Sequence, residues 1–514
     1  MCTAAPRPGG ADQVPTAAEI LAHVREAAGR PPATERVHIA IVRGDLNGER
    51  TVIRRGQDWV ETSRVGPFST ARGRLRGYGW HQNENGITVI DGAAGDAPIG
   101  DSAASERGAS VSVGDANDYV LAELDADGYG TKTFVEPATW RVVRQDTIYP
   151  SNRSTVRYDR FQRVAGHERA THWIRDGGNR QDREEDTITA DTTDDVKEAE
   201  VLVPDDRRTL VEFPAGTQTV TLPARFDRNR IIVRAAIGNR GVDLVLDTGA
   251  SGISLDQSLI KEAGGVTYGR ALYNGIGGTV SGSRSIVSEM RVGSLVMRDV
   301  VVATMPAIDA DRSATTGSVL PETLINDRAV LGTKIVGLLG FDFIAGLALK
   351  IDYAGHTVTA MTAASFKGPG AGAIELPVRL GRGTPQVDVT INGATGREFI
   401  VDTGAPERAL LVYDRFARAH PDAMTDLHGG SVERMARVGG IGGMAASEPV
   451  QLETVVIGKI TFKKFVAYRI TSVNSAGLDG LIGGEFLRYF DVYTDYQNSR
   501  LVLVPNAAGR ATYK

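Results

Sequence analysis

The chain has 514 residues, 41% of them hydrophobic, enough for several cores at about 150 residues per domain. Lys and Arg number 58 against 63 Asp and Glu, a formal net charge of -5, so there is no bulk attraction for nucleic acid or for an anionic membrane. The lone Cys2 excludes intramolecular disulfides and thiolate metal clusters, the histidines form no H-E-x-x-H pattern, and no run of about eighteen apolar residues can span a bilayer as a helix.

Residues 1–15 read as a flexible tether. The opening M-C-T-A-A-P-R-P-G-G lacks the apolar core of a signal peptide. A cysteine followed by a small, Pro/Gly-rich stretch is also what remains of a bacterial lipoprotein once its signal is cut away; the plain alternative is an incidental Cys2. The first reading implies an envelope or periplasmic protein held to a membrane through lipidated Cys2, the second a cytoplasmic one.

Thr16 and Glu19 have capping-box spacing, and Ile20, Leu21 and Val24 form an apolar stripe that stops at Gly29, Pro31 and Pro32, which predicts a short amphipathic helix. From Val37 to about Thr189 the pattern changes to alternation broken by turn residues, which predicts antiparallel sheet. Residues 16–200 are thus expected to form an α+β domain, with the acidic, threonine-rich stretch Asp182 to Glu200 as the linker out of it. One helix followed by a long meander resembles the half-barrel of the lipoprotein-carrier family, in which a curved sheet wraps a helix and can hold acyl chains. Trp59, Trp80, Trp140 and Trp173 could line such a cavity or pack an ordinary sheet core. His167 and His172, five residues apart in an alternating strand region, face opposite sides and make a poor metal pair.

The rest of the chain carries a duplication. I-I-V-R-A-A-I-G-N-R-G-V-D-L-V-L-D-T-G-A ends at Ala250, and Q-V-D-V-T-I-N-G-A-T-G-R-E-F-I-V-D-T-G-A ends at Ala405. Each copy then has G-I-G-G (Gly275, Ile276, Gly277, Gly278; Gly440, Ile441, Gly442, Gly443) and an apolar-apolar-Gly triplet (Leu338, Leu339, Gly340; Leu481, Ile482, Gly483). Each closes with a Tyr/Val-rich strand pair. Two similar β lobes are expected, at 225–363 and 384–506, joined by the Gly- and Pro-rich segment Ala363 to Gly383.

An apolar strand leading into D-T-G-A, a downstream G-I-G-G and then apolar-apolar-Gly resemble the aspartic peptidases, closer to the retroviral (retropepsin-like) type than to the gastric type, with the two halves fused in one chain. The resemblance implies a catalytic pair, Asp247 and Asp402, acting on an extended peptide or protein substrate held between the lobes. It implies cross-lobe bonds from Thr248 and Thr403, and flap tips at Ile276 and Ile441 with their flanking glycines. A fused chain needs no second copy and can act as a monomer. The chemistry has its own logic: two carboxylates about 3 Å apart cannot both ionise, so one serves as base and the other as acid. Gly249 and Gly404 allow a tight turn that offers backbone N–H groups to the carboxylates, and Gly340 and Gly483 sit where no side chain fits. Ala250 and Ala405 stand where the gastric enzymes have a hydroxyl residue, so each carboxylate has one fewer possible donor and the pair should titrate higher. Pro406, where the first copy has Ser251, removes a backbone N–H beside the second loop. Tyr273 could aim its hydroxyl at substrate or be an ordinary strand tyrosine.

Asp342 and Glu485 follow the glycine triplets and are expected to cap helix starts; Asp256, Asp352 and Asp495 are expected to be solvated turn or strand-end residues. No metal or other cofactor is called for. The expected fold is mainly β, two homologous aspartic-peptidase lobes preceded by an α+β domain of helix and curved antiparallel sheet. The expected function is an aspartic endopeptidase; the alternative is a non-catalytic peptide- or lipid-binding envelope protein that keeps the peptidase fold.

Overall fold

The computed structural model describes residues 14–93, 109–124, 128–149, 152–178, 183–204, 210–276, 278–305, 335–370, 372–427, 436–440, 443–470 and 477–512. Cys2 and nearly all of the tether lie outside the described residues, as do Gly277, Ile441 and Gly442. The chain divides into two units, Met1–Gly77 with Gly95–Val203, and Tyr78–Ala94 with Pro204–Lys514. Residues 78–94, expected in the N-terminal domain, therefore count with the second unit.

In the first unit the predicted helix is Ala17–Ala28, and its capping box is formed: Glu19 N–H donates to Thr16 Oγ1 at 3.3 Å and Thr16 N–H to Glu19 Oε2 at 2.8 Å. Ile20 and Leu21 bury against Leu121, Val135 and Val142 of the sheet. The strands follow one another as an antiparallel meander, except that the first, Thr34–Arg43, pairs with the last, Glu184–Thr192. The expected linker is thus a central strand. Its acidity deceives because its carboxylates are buried against arginines: Arg50, 2% exposed, reaches Glu184 at 2.9 Å, Asp186 at 3.0 Å and Glu61 at 3.3 Å. Burial would lift Glu184, but Arg43 and Arg50 outweigh it and hold that carboxyl at about 2, whereas burial pushes Asp186 up to about 7 against the pull of Arg50.

The tryptophans of this unit are packing residues. Trp59 and Trp173 are buried, and Trp140 stacks on His23 at 4.3 Å and on Tyr119 at 5.6 Å. Trp173 sits directly across from Asp186 in the strand register, so the same sheet face carries both aromatic and charged side chains. The two histidines are held separately: His167 Nδ1 lies 3.1 Å from Gly29 O, and His172 lies between Asp159 and Glu185.

The second unit contains the duplication, folded twice the same way. In the first copy Arg230–Ile237 and Arg240–Leu246 form a hairpin, and the second of these runs parallel to Ile335–Leu339. On the other edge of Ile335–Leu339 lies Ile253–Asp256, antiparallel. The segment Asp247–Gly252 therefore loops over the end of a strand that both its flanks grip. In the second copy Ala394–Asp402 runs parallel to Gly480–Gly483, with Leu410–Val412 antiparallel on its other edge. These strands are apolar on both faces because neighbours cover both faces.

The closing strand pairs do not stay with their own lobes. They merge into one six-stranded sheet with Leu347–Asp352 of the first copy antiparallel to Phe490–Asp495 of the second. Asp495 is consequently buried, not solvated, and bonds Arg500 at 2.7 Å and Asn498 at 2.9 Å. Asp256 is also buried, as the N-cap of helix Gln257–Glu262.

Arg50→Ala leaves Glu61, Glu184 and Asp186 without their shared cation, and should destabilise the first unit by about 3–5 kcal/mol, read from urea unfolding followed by tryptophan fluorescence.

Candidate active site

The two D-T-G-A loops meet. Thr248 Oγ1 donates to Val401 O at 2.6 Å and accepts from Thr403 N–H at 3.0 Å; Thr403 Oγ1 donates to Leu246 O at 2.7 Å and accepts from Thr248 N–H at 3.1 Å. Both threonines are buried, and every bond runs from one lobe to the other. The cross-lobe role implied for these residues is thus present in the geometry.

Each aspartate is then seated by its own loop. Gly249 N–H donates to Asp247 Oδ1 at 2.8 Å and Gly404 N–H to Asp402 Oδ1 at 2.7 Å. A Cβ on Gly249 would lie 2.6 Å from Asp402 Cγ, and one on Gly404 2.5 Å from Asp247 Cγ, so each glycine also makes room for the opposite carboxylate. Asp247 and Asp402 lie against each other's loops, close enough for each to shift the other's titration. Both are deep in protein yet keep an accessible edge.

Burial is the first cause lifting both carboxyls above the usual range. The charge of Asp402 lifts Asp247 further, while bonds from Asp247, Gly404, Ala405 and Gly249 moderate the rise at Asp402. The pair retains one proton to higher pH than an isolated carboxyl would. Around it the phenols of Tyr353, Tyr413 and Tyr496 are kept protonated, by burial first and then by the field of the aspartates.

The glycine triplets brace the loops from below. Leu339 O accepts from Asp247 N–H at 3.1 Å; a Cβ on Gly340 would strike Gly252 O at 2.4 Å and Ala250 O at 2.5 Å, and one on Gly483 would strike Arg408 O at 2.3 Å and Ala405 O at 2.5 Å. Leu338, Leu339, Leu481 and Ile482 are buried. Pro406 leaves the second loop closed like the first: Ala405 N–H reaches Asp402 O at 3.4 Å, against 3.3 Å for Ala250 N–H to Asp247 O.

In the first copy Gly275 pairs with Gly278 at the end of hairpin Val266–Gly275 with Gly278–Val292, and Ile276 packs against the apolar cluster of the second lobe that includes Tyr413, Val438 and Leu481. The second G-I-G-G has the matching hairpin, Ala436–Gly440 with Gly443–Ile457. Tyr273 is an ordinary strand tyrosine, donating its hydroxyl to Ser283 O at 2.7 Å, and burial pushes it up to about 12.

Asp342 is more than a helix-start cap. It is 6% exposed, accepts from Asn83 Nδ2 at 2.7 Å, and burial pushes it up to about 6. Its counterpart Glu485, 40% exposed, pairs with Arg488 at 2.7 Å and accepts from Asn229 Nδ2 at 3.0 Å. The contact from Asn83 was beyond sequence pattern, since only the turn signal N-E-N-G marks that segment. Among the described residues no cluster of His, Cys, Asp and Glu has the arrangement of a metal site.

Residues 233–343 and 387–486 match the model of a family described as aspartyl protease. Solved structures similar to this chain include an aspartic proteinase from Irpex lacteus, 17% identical, covering 58% of this chain and 100% of that one at a TM-score of 0.34. Basic 7S globulin from soybean is 9% identical, covering 57% and 96% at a TM-score of 0.34. A LolA superfamily protein from Nitrosomonas europaea is 15% identical, covering 37% and 99% at a TM-score of 0.27. No curated protein matches the chain by sequence. The match over 233–343 and 387–486 supports an aspartic-type peptidase at family level, as the duplicated motifs imply.

The threonine exchange should carry much of the lobe-to-lobe stability. Thr248→Val leaves Val401 O and Thr403 N–H unpaired in a buried place and should cost about 2–5 kcal/mol in urea unfolding, whereas Thr248→Ser, which keeps the hydroxyl, should cost far less.

Proposed function

We propose that the protein is an aspartic endopeptidase that cleaves peptide bonds with a water activated between Asp247 and Asp402. The observation that carries this reading is the pair itself: two coupled carboxyls, each seated by its own glycine N–H and each packed against the other's loop. A single carboxylate at a turn would be structural; two that share one proton supply a base and an acid together.

In the reaction the ionised carboxyl takes a proton from water as the water oxygen attacks the carbonyl carbon, and the protonated carboxyl gives its proton to the carbonyl oxygen. Collapse of the tetrahedral diol returns a proton to the departing nitrogen, and the C–N bond breaks. Neither aspartate bonds to substrate, so no acyl-enzyme forms. The two Gly-rich hairpins act as flaps over an extended peptide and exclude water from the reacting bond. The apolar cluster against Ile276 favours substrates with apolar side chains beside that bond.

The pH dependence follows from the direction of the shifts. Activity needs one carboxyl charged and one protonated, so raising both moves both limbs of the rate profile upward. Hydrolysis of a mixed peptide library from about pH 3 to 8, with and without pepstatin, should show pepstatin-sensitive cleavage in the parent. Asp247→Asn should lower the rate by about 10³-fold or more. The profile should peak above the value of about 3 that a pair as acidic as pepsin's would give. Cleavage that survives the substitution, or none by the parent at any pH, would remove the peptidase reading in favour of a peptide-binding fold.

A further inference from the structure

Residues 78–93 form a hairpin, Tyr78–Gln82 with Thr88–Ala93, that the chain contributes to the second unit before returning to the first. Ile87 and Val89 are buried in the same core as Ile253, Leu255, Val300 and Phe341. The turn of the hairpin is polar and fully engaged. Asn83 Oδ1 accepts from the N–H groups of Asn85 at 3.1 Å and Ile87 at 3.0 Å, which fixes the amide and aims its Nδ2 at Asp342, 2.7 Å away. Asn85, 3% exposed, bonds both main-chain groups of Val301 at 2.9 Å. Glu84 pairs with Arg284 at 2.8 Å, and Arg284 lies in the long strand of the first Gly-rich hairpin.

Asp342 passes this hold to the first catalytic loop. Its Oδ2 would be 2.8 Å from a Cβ on Gly252, and its carboxylate accepts from Ile253 N–H, where the Asp247 loop rejoins its strand. Its own helix starts with Phe341, whose N–H bonds Ala250 O at 3.0 Å.

The second loop repeats the arrangement with a different donor. Glu485 stands two residues after Gly483, as Asp342 stands two after Gly340. Asn229 Nδ2 donates to Glu485 at 3.0 Å and to Pro406 O at 3.2 Å, at the end of the Asp402 loop. Each acid that follows a glycine triplet thus receives an asparagine amide from outside its own lobe's strands, Asn229 from the turn that opens the first lobe and Asn83 from the N-terminal hairpin.

We propose that Asn83 and Asn229 are paired positioning residues, each fixing one catalytic loop through the acid after its glycine triplet, so that the first loop depends on a hairpin supplied by the N-terminal part of the chain. Its kinetic consequence rests on the peptidase reading; the physical brace does not. Neither asparagine touches substrate or the reacting atoms, so the effect falls on the geometry of the aspartates, where displacements well under an ångström matter.

The test uses the full chain with Asn83→Ala and Asn229→Ala, read by amide hydrogen exchange over residues 247–256 and 402–412 and by steady-state kinetics. Asn83→Ala should quicken exchange about fivefold or more over 247–256 and leave 402–412 unchanged, and Asn229→Ala should do the reverse. On a cleaved peptide each should lower kcat about tenfold with KM held within about twofold. Asn83→Asp keeps the acceptor that ties the turn but replaces the donor to Asp342 with a second carboxylate oxygen, and serves if the alanine variant does not fold. Exchange that is unchanged, or that rises equally over both loops in both variants, overturns the proposal. A parent that cleaves nothing removes the peptidase reading, and the exchange pattern alone then decides the brace.

Discussion

The second unit depends on the exchange of hydrogen bonds between Thr248 and Thr403. Each hydroxyl accepts from the other's backbone N–H and donates to a carbonyl one residue before the opposite aspartate. The registry of the lobes is therefore set at the atoms next to Asp247 and Asp402. A shift of one lobe would break several buried bonds together, and buried polar groups left unpaired are expensive. The same constraint explains the glycines beside them, since any side chain at Gly249 or Gly404 would occupy the place of the opposing carboxylate.

Holding two carboxyls together in a deep site has an electrostatic cost, met by keeping one of them protonated and by aiming backbone N–H groups at the charge. What stabilises the pair is mostly main chain, which is why the local sequence can be as plain as D-T-G-A. Alanine after the glycine contributes no hydroxyl, and the balance moves toward the neutral form. The aspartates are thus poised by burial more than by donors.

Charge is handled differently in the first unit. There Arg50 gathers three carboxylates inside a sheet, and the strand Glu184–Thr192 is held in the middle of that sheet by pairing and by buried ion pairs rather than by an apolar face. Removing one partner from such a cluster strands the others, so its members depend on one another. The hairpin at Tyr78–Gln82 and Thr88–Ala93 follows the opposite rule. It joins the core of the protease lobe through Ile87 and Val89 and uses its polar turn for specific contacts.

Local rules were enough for the capped helix at Ala17–Ala28, the alternating strands, the two lobes and the pair Asp247 and Asp402, because each rests on a short-range pattern or on a repeat visible as a repeat. They failed where the partner is distant in sequence. The acidic strand Glu184–Thr192 looks like a linker until Arg50 is set beside it, and Asp256 and Asp495 look solvated until their neighbours close over them. The closing strand pairs look like private property of each lobe, yet their edges were free to join, and an unpaired sheet edge in a buried position must be covered. Asp342 passes for a helix cap until Asn83 arrives from a hairpin 259 positions away. The sequence by itself determined which residues form the duplicated motifs, because apolar periodicity and turn residues are written locally. Only the tertiary structure decided what surrounds and steadies them, because burial and long-range pairing depend on which strands come together.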